Sequence, residues 1–199
     1  MEVYLDNAAT SRASEAVCAS MQRMLREDYG NPSSAHRMGQ QAERAMKQAR
    51  SAVASLLGAQ PRQIVFTGSG TEADNLAFHC AFKNPSRIKG AKILVSAVEH
   101  PAVLVPAMRY EALGATLVRL PVDGKGMVCL DALEAEMDDR ALFLSVMHVN
   151  NEVGTIQPVE RIGRLVAARR QGGSRLLWHV DAVQSYGKIP ASIAPGAAL

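Results

Sequence analysis

Disulfide-forming cysteine is scarce: Cys18, Cys80 and Cys129 are odd in number, far apart and contain no Cys-x-x-Cys. That excludes a disulfide framework and a zinc cluster, and the three read as reduced structural thiols. Long hydrophobic runs are missing too. Stretches such as Ile93-Leu94-Val95 fall far short of the roughly 18 residues a membrane span needs, so no bilayer crossing is expected. Charge of one sign is in short supply, with 22 Lys+Arg against 19 Asp+Glu and a net +3 spread along the chain. Neither nucleic acid nor a membrane surface is expected as a partner. After Met1 the residues Glu-Val-Tyr-Leu-Asp have neither the basic start and apolar run of a secretory signal nor the arginine-rich pattern of a transit peptide, so a cytoplasmic protein is expected. Repeats and low-complexity tracts are absent as well. With 48% hydrophobic and 21% charged residues in 199, the chain has enough apolar material for a sizeable core, which excludes a collagen, a coiled coil or a disordered tail.

What the sequence does have is alternation. Helical periods are read at Ser14–Glu27, Gly39–Leu57, Glu72–Phe82, Pro101–Leu113, Leu130–Met137 and Val159–Arg170. In the second of these, Ala42, Ala45, Met46, Ala49, Val53 and Leu56 recur at core spacing. Short β-branched and apolar runs at Gln63–Thr67, Lys92–Ser96, Thr116–Leu120, Leu142–Met147 and Leu176–Val180 read as strands. The sum is an α/β protein with a mainly parallel sheet sandwiched by helices. Between the first two helices, Tyr29-Gly-Asn-Pro-Ser-Ser-Ala-His36 is a run of turn formers, suited to a surface connection or to close contact with a ligand or partner.

In such a sheet, ligands bind where the strands end at their carboxyl side, and the polar residues of interest fall there. Gly68-Ser-Gly-Thr71-Glu72 lies between a strand and a helix, where small residues, fresh amides and a hydroxyl form either a phosphate cup or merely a tight turn. It fits neither Gly-x-Gly-x-x-Gly nor a P-loop. His100, in Val98-Glu-His-Pro101, stands at a strand's end, able to transfer protons, to stack on an aromatic cofactor, or to cap the following helix. His148-Val-Asn-Asn-Glu-Val-Gly154 holds two amides that either stabilise the turn or bind a ring hydroxyl or carboxylate. Asp181 closes the apolar strand Leu176-Leu-Trp-His-Val, where a carboxylate needs an opposing charge, and the near neighbours before Lys188 offer only His179. The protonated ring nitrogen of pyridoxal phosphate would supply it, since a carboxylate there keeps the ring an electron sink, and Gln184 can reach the ring's phenolic oxygen.

Tyr4-Leu-Asp-Asn-Ala-Ala-Thr10, Gly30-Asn-Pro-Ser-Ser-Ala-His36, Thr67-Gly-Ser-Gly-Thr-Glu-Ala-Asp-Asn75, Glu99-His-Pro101, His148-Val-Asn-Asn-Glu-Val-Gly154 and His179-Val-Asp-Ala-Val-Gln184 together resemble, in order and spacing, the pyridoxal-phosphate-dependent cysteine desulfurases of the class V aminotransferase group. The resemblance runs from residue 4 to about 190. It implies pyridoxal 5'-phosphate as cofactor, with Gly70 and Thr71 on its phosphate, His100 stacked on the ring and transferring protons, Asn151 beside ring and substrate, Asp181 on the pyridinium nitrogen and Gln184 on the ring oxygen. No metal is implied. It implies the fold type I large domain with a seven-stranded sheet, residues 1–15 as an arm belonging to a small domain and 16–199 as part of the cofactor-binding domain. L-cysteine as substrate, a homodimer, and a sulfur-acceptor or scaffold protein serving iron–sulfur or thio-cofactor assembly are implied by the same resemblance. Where the family usually reads Ser-Gly, this chain has Gly68-Ser69. The family's Schiff-base lysine sits in a Ser-x-His-Lys segment that is not found here, and Lys188 in Ser185-Tyr-Gly-Lys188 does not match it. Nor do Cys18, Cys80 and Cys129 match the sulfur-accepting cysteine. The expectation is therefore the amino-terminal half of a desulfurase, inactive as an isolated chain. The alternatives are a non-catalytic interaction or dimerisation module, or another class V enzyme such as a selenocysteine lyase or an aminotransferase. Asn-Pro-Ser-Ser and Asn-Asn-Glu favour the desulfurases.

Overall fold

A computed structural model describes residues 1–189 and the backbone of 197–198. The chain forms two compact units, Met1–Phe66 and Thr67–Leu199.

The first unit is helical. Helix α1 (Glu15–Arg26) starts at Ser14, whose hydroxyl accepts the Val17 amide, and it buries none of its residues. Helix α2 (Arg37–Leu57) is capped at one end by His36, through the Gly39 amide, and at the other by Gly58 in the left-handed region with φ 64°. Of the stripe read along α2 only Ala42 is buried, Ala45 and Val53 are half-buried, and Met46, Ala49 and Leu56 face solvent, while Ala54 and Leu57 are buried instead. The turn-rich segment before α2 folds onto its own helix. The Asn31 carboxamide accepts the Ser33 amide at 2.9 Å, and a Cβ at Gly30 would meet the Met38 carbonyl. One strand expectation fails in this unit. Pro61–Gln63 form a single tight turn, and the chain leaves it extended at Ile64 (φ −92°, ψ 125°), without a ladder partner among the described residues. A strand needs a neighbour for its amides, and apolar β-branched residues alone do not supply one. Val65 and Phe66 are consequently 67% and 50% exposed.

The second unit is the sheet with its helices. Strands β1 (Lys92–Ser96), β2 (Thr116–Leu120), β3 (Ala141–Ser145) and β4 (Leu177–His179) pair in parallel in the order β2-β1-β3-β4, and the two-residue β5 (Ala197–Ala198) adds to β4. The mainly parallel α/β sheet expected from the alternation is present, with five strands among the described residues, as for a part of the seven-stranded domain the resemblance implies. Every residue of β1 and β3 is buried, as befits central parallel strands covered on both faces. Side chains alternate across the sheet. On one face Ile93, Val95 and Phe143 pack on Phe78 and Phe82 from helix α3 (Gly70–Ala81) and its end and on Val103 and Ala107 from α4 (Pro101–Ala112). On the other, Leu94, Leu144 and Trp178 pack on Leu133 from α5 (Leu130–Glu136) and on Ile162 and Val166 from α6 (Val159–Gln171).

At the amino end of β1, Lys92 is 5% exposed and its ammonium meets the carboxylates of Glu136 at 2.8 Å and Asp138 at 2.9 Å. Burial opposes that charge, yet the two hydrogen bonds outweigh it and hold the ammonium above its ordinary range. Asp138 is pulled down to about 2, chiefly by the hydrogen bond from Lys92 and further by Arg140. A depressed carboxylate stabilises above its unfolded value and loses that contribution as pH falls toward its folded one. In Lys92→Met, the loss of stability between pH 4 and pH 2 should therefore be shallower than in the parent chain, as read by urea denaturation at each pH.

Candidate active site

In the sheet order β2-β1-β3-β4, the connection leaving β1 runs to one side and the connection leaving β3 to the other. The crevice opened by such a reversal at the strands' carboxyl ends is where open α/β sheets bind ligands. His100 follows β1, Asn151 follows β3, and Asp181 follows β4.

The Gly68–Glu72 turn is a helix start built with care. The Ser69 hydroxyl accepts the Glu72 amide at 3.2 Å, and the Glu72 carboxylate reaches back to the Gly68 amide at 2.6 Å. These two bonds leave the amides of Gly70 and Thr71, the first two of α3, with no acceptor among the described residues. Gly70 is required by its neighbour: a Cβ there would stand 2.9 Å from Val183 Cγ2, in the turn after β4. The turn is thus brought against the segment that carries Asp181 and Gln184. Gly70→Ala should cost about 1–3 kcal/mol by overpacking, and Val183→Ala in the same chain should recover most of it; a thermal-melt comparison of the single and double variants decides.

Asp181 is buried, 8% exposed, and its only described hydrogen bond comes from the Val183 amide at 2.9 Å. No lysine or arginine pairs with it among the described residues. Burial raises its carboxyl above the ordinary range, Asp74 adds to the rise, and the Val183 amide and the His179 and His100 rings partly offset it. His100 is exposed and caps α4, its Nδ1 accepting the Ala102 amide at 3.1 Å. The cap fixes the tautomer of the neutral ring, with the proton on Nε2, and leaves the ring face open. The two adjacent amides divide their work. Asn150 is the turn builder: its Oδ1 accepts the amides of Glu152 and Val153, both at 2.9 Å, and its Nδ2 donates to the Val98 carbonyl at 3.0 Å. Asn151, half-buried beside it, has no such bond among the described residues. Gln184 accepts from Lys188 Nζ at 3.0 Å.

Reading the motifs one at a time misses what lies beneath them. Asp74, Glu99, Ser145 and His179 are each at most 5% exposed. His179 Nε2 stands 3.2 Å from Asp74 Oδ1, and its Nδ1 stands 2.9 Å from Ser145 Oγ. Glu99 Oε1 accepts from the Ser96 hydroxyl at 2.6 Å and from the Met147 amide at 2.7 Å, and its Oε2 lies 3.4 Å from Ser145 Oγ. Burial raises the Glu99 carboxyl. The signal that could have found this line is the presence of Asp74, Glu99 and His179 inside the same motifs as Thr71, His100 and Asp181.

These residues fit pyridoxal phosphate by their charges: free amides at a helix start suit a phosphate, and a buried carboxylate without a cation suits a protonated pyridine. The family model described as aminotransferase class-V matches residues 3–195. The cysteine desulfurase IscS of Serratia proteamaculans is 42% identical over 196 residues, covering 97% of this chain and 47% of that protein. The cysteine desulfurase of Trichormus azollae is 41% identical over 191 residues, covering 96% and 46%. Among solved structures, a NifS-like protein superposes with a TM-score of 0.91 at 41% identity, covering 98% of this chain and 52% of the other. SspA in complex with cysteine gives 0.87 at 33% identity, covering 96% and 53%. The chain spans about half the length of the relatives it matches.

Proposed function

Because the chain belongs to the aminotransferase class-V family, we propose that it supplies the cofactor-binding part of a cysteine desulfurase, holding pyridoxal 5'-phosphate through Gly70, Thr71, His100, Asn151, Asp181 and Gln184. The observation that carries this reading is Asp181, a buried carboxylate with no partner cation among the described residues, in the segment packed against the helix start whose first amides are free. In this reading the Gly70 and Thr71 amides and the Thr71 hydroxyl bind the phosphate. Asp181 keeps the ring nitrogen protonated, Gln184 donates to the ring oxygen, and Asn151 orients ring and substrate. When bound, the cofactor's protonated ring draws electrons from an attached amino acid. His100 covers the ring face, and its Nε2, free of the cap, holds or passes a proton there.

The substrate proposed is L-cysteine, converted to L-alanine with the sulfur passed on as a persulfide; the cysteine bound by one structural relative supports a sulfur amino acid over other class V substrates. A homodimer, a sulfur-acceptor or scaffold protein in iron–sulfur or thio-cofactor assembly, and a cytoplasmic setting complete the proposal. Three free, exposed cysteines and the lack of any described helix long and apolar enough to cross a membrane accord with it. No Ser-x-His-Lys occurs in these 199 residues, and the residues named here are those of the cradle.

The test is a fluorescence titration of the chain with pyridoxal 5'-phosphate and with pyridoxal. A phosphate held by the Gly70–Thr71 amides should make the first bind at least about tenfold tighter, with Thr71→Val narrowing the gap. Equal binding of the two compounds, or none, overturns the reading.

A further inference from the structure

Glu99, Ser145, His179 and Asp74 form a continuous buried line from the turn after β1 across the ends of β3 and β4 to helix α3. Each member comes from a segment that also carries a proposed cofactor contact. Asp74 is on α3 with Gly70 and Thr71, Glu99 precedes His100, Ser145 ends the strand leading to Asn151, and His179 ends the strand leading to Asp181. The donors and acceptors can be counted. Glu99 Oε1 already accepts two hydrogen bonds, so a proton on this carboxyl sits on Oε2, which faces Ser145. The Ser145 hydroxyl has one proton and two neighbours, Glu99 Oε2 and His179 Nδ1. His179 Nε2 faces the Asp74 carboxylate, so it carries a proton in every favourable arrangement.

Two arrangements then satisfy the same heavy atoms. In one, protonated Glu99 donates to Ser145, Ser145 donates to Nδ1 of a neutral His179, and His179 donates to Asp74. In the other, His179 is an imidazolium donating from Nδ1 to Ser145, and Ser145 donates to ionised Glu99. The Glu99 O–H bond breaks as Ser145 takes that proton and releases its own to Nδ1. No atom is lost and the net charge of the four groups is unchanged.

We infer that Glu99, Ser145 and His179 are a buried proton relay anchored by Asp74, and that the position of its one mobile proton sets the charge beside Asp181. The functional half rests on the cofactor reading above; the relay itself does not. With the proton on His179, a cation lies two residues before Asp181 on the same strand and favours the carboxylate form that a pyridinium needs. With the proton on Glu99 that cation is gone, and Asp74 opposes the ionisation of Asp181. Burial pushes the nearby His148 imidazole below its ordinary range, and its backbone amide donates to the Asp181 carbonyl at 2.9 Å. The directions agree: burial raises Glu99, and His179 lowers both Glu99 and Asp181. His179, Ser145, Glu99 and Asp74 are thus positioning residues acting through Asp181.

The experiment is nitrogen-15 NMR of the His179 ring in the cofactor-free chain across pH, with and without Glu99→Gln, which cannot give up a proton. The relay predicts that Glu99→Gln lowers the His179 midpoint by about one pH unit or more, a tenfold change in its proton affinity. In a Ser145→Ala background the same substitution should move it by less than roughly 0.3 unit, because the coupling runs through the hydroxyl. No shift in either background, or equal shifts in both, overturns the relay. If Glu99→Gln fails to fold, Ser145→Ala and Ser145→Thr decide alone: the first should change the His179 ring nitrogen shifts and the second should leave them as in the parent, whereas unchanged shifts in both refute it. The link to Asp181 is read separately, as the pH dependence of pyridoxal phosphate affinity. His179→Asn should flatten it, and an unaltered profile sinks that link while leaving the NMR result standing.

Discussion

Asp181→Asn is expected to weaken pyridoxal 5'-phosphate binding by ten- to a hundredfold while making the folded chain more resistant to heat at neutral pH. The first effect follows from removing the charge proposed to face the ring nitrogen, since a hydrogen bond to a charged group is worth about 1.5–3 kcal/mol. The second follows from proton linkage. Burial holds the Asp181 carboxyl above its ordinary value of 3.8, so the folded chain binds that proton more readily than the unfolded chain does. Ionisation then costs stability as pH climbs past 3.8, and asparagine, which still accepts the Val183 amide through its carbonyl, removes the cost. Opposite movements of affinity and melting temperature in one variant are what a residue kept for binding rather than for folding should show. A variant that melts lower, or binds the cofactor as tightly as the parent, contradicts this account of the carboxylate.

Phe143→Ala is expected to have the largest effect on stability, about 3–5 kcal/mol by urea denaturation, enough to consume much of a domain's margin. The ring is 2% exposed in the centre of β3. Its centroid lies 4.4 Å from Phe78, 6.3 Å from Phe82 and 5.8 Å from the His179 ring, which lies nearly parallel to it. Truncation would therefore leave a cavity between the sheet and α3 and remove the wall against which His179 is oriented. Phe143→Leu, which keeps most of the volume, should cost much less and retain cofactor binding.

The amino-acid pattern carries much of this arrangement. Lys92–Ser96 and Thr116–Leu120 can be bounded from sequence because β-branched apolar runs end at polar turns, and the candidates His100, Asn151 and Asp181 can be picked out because they punctuate the strand ends. His100 illustrates where pattern stops. Its neighbours allow capping or stacking, and the geometry shows the cap at Nδ1 on an exposed ring, which leaves the proposed stacking compatible with it. The motifs contain three of the four residues of the buried line, but the contacts between them cannot be read because its members are far apart in the chain, with Ser145 46 residues from Glu99 and 34 from His179. Only the register of β1, β3 and β4 makes them neighbours. The same dependence on partners explains the misread strand at Gln63–Thr67, whose composition is right and whose ladder is missing among the described residues.

That last segment matters at the bench. The chain is extended at Ile64, the apolar Val65 and Phe66 after it are exposed, and the amides of these two are unclaimed among the described residues, the kind of surface that recruits a second copy edge to edge as concentration rises. Working stocks of the chain should cloud at high concentration sooner than its net charge of +3 suggests, and Val65→Lys would act as a gatekeeper that keeps them clear.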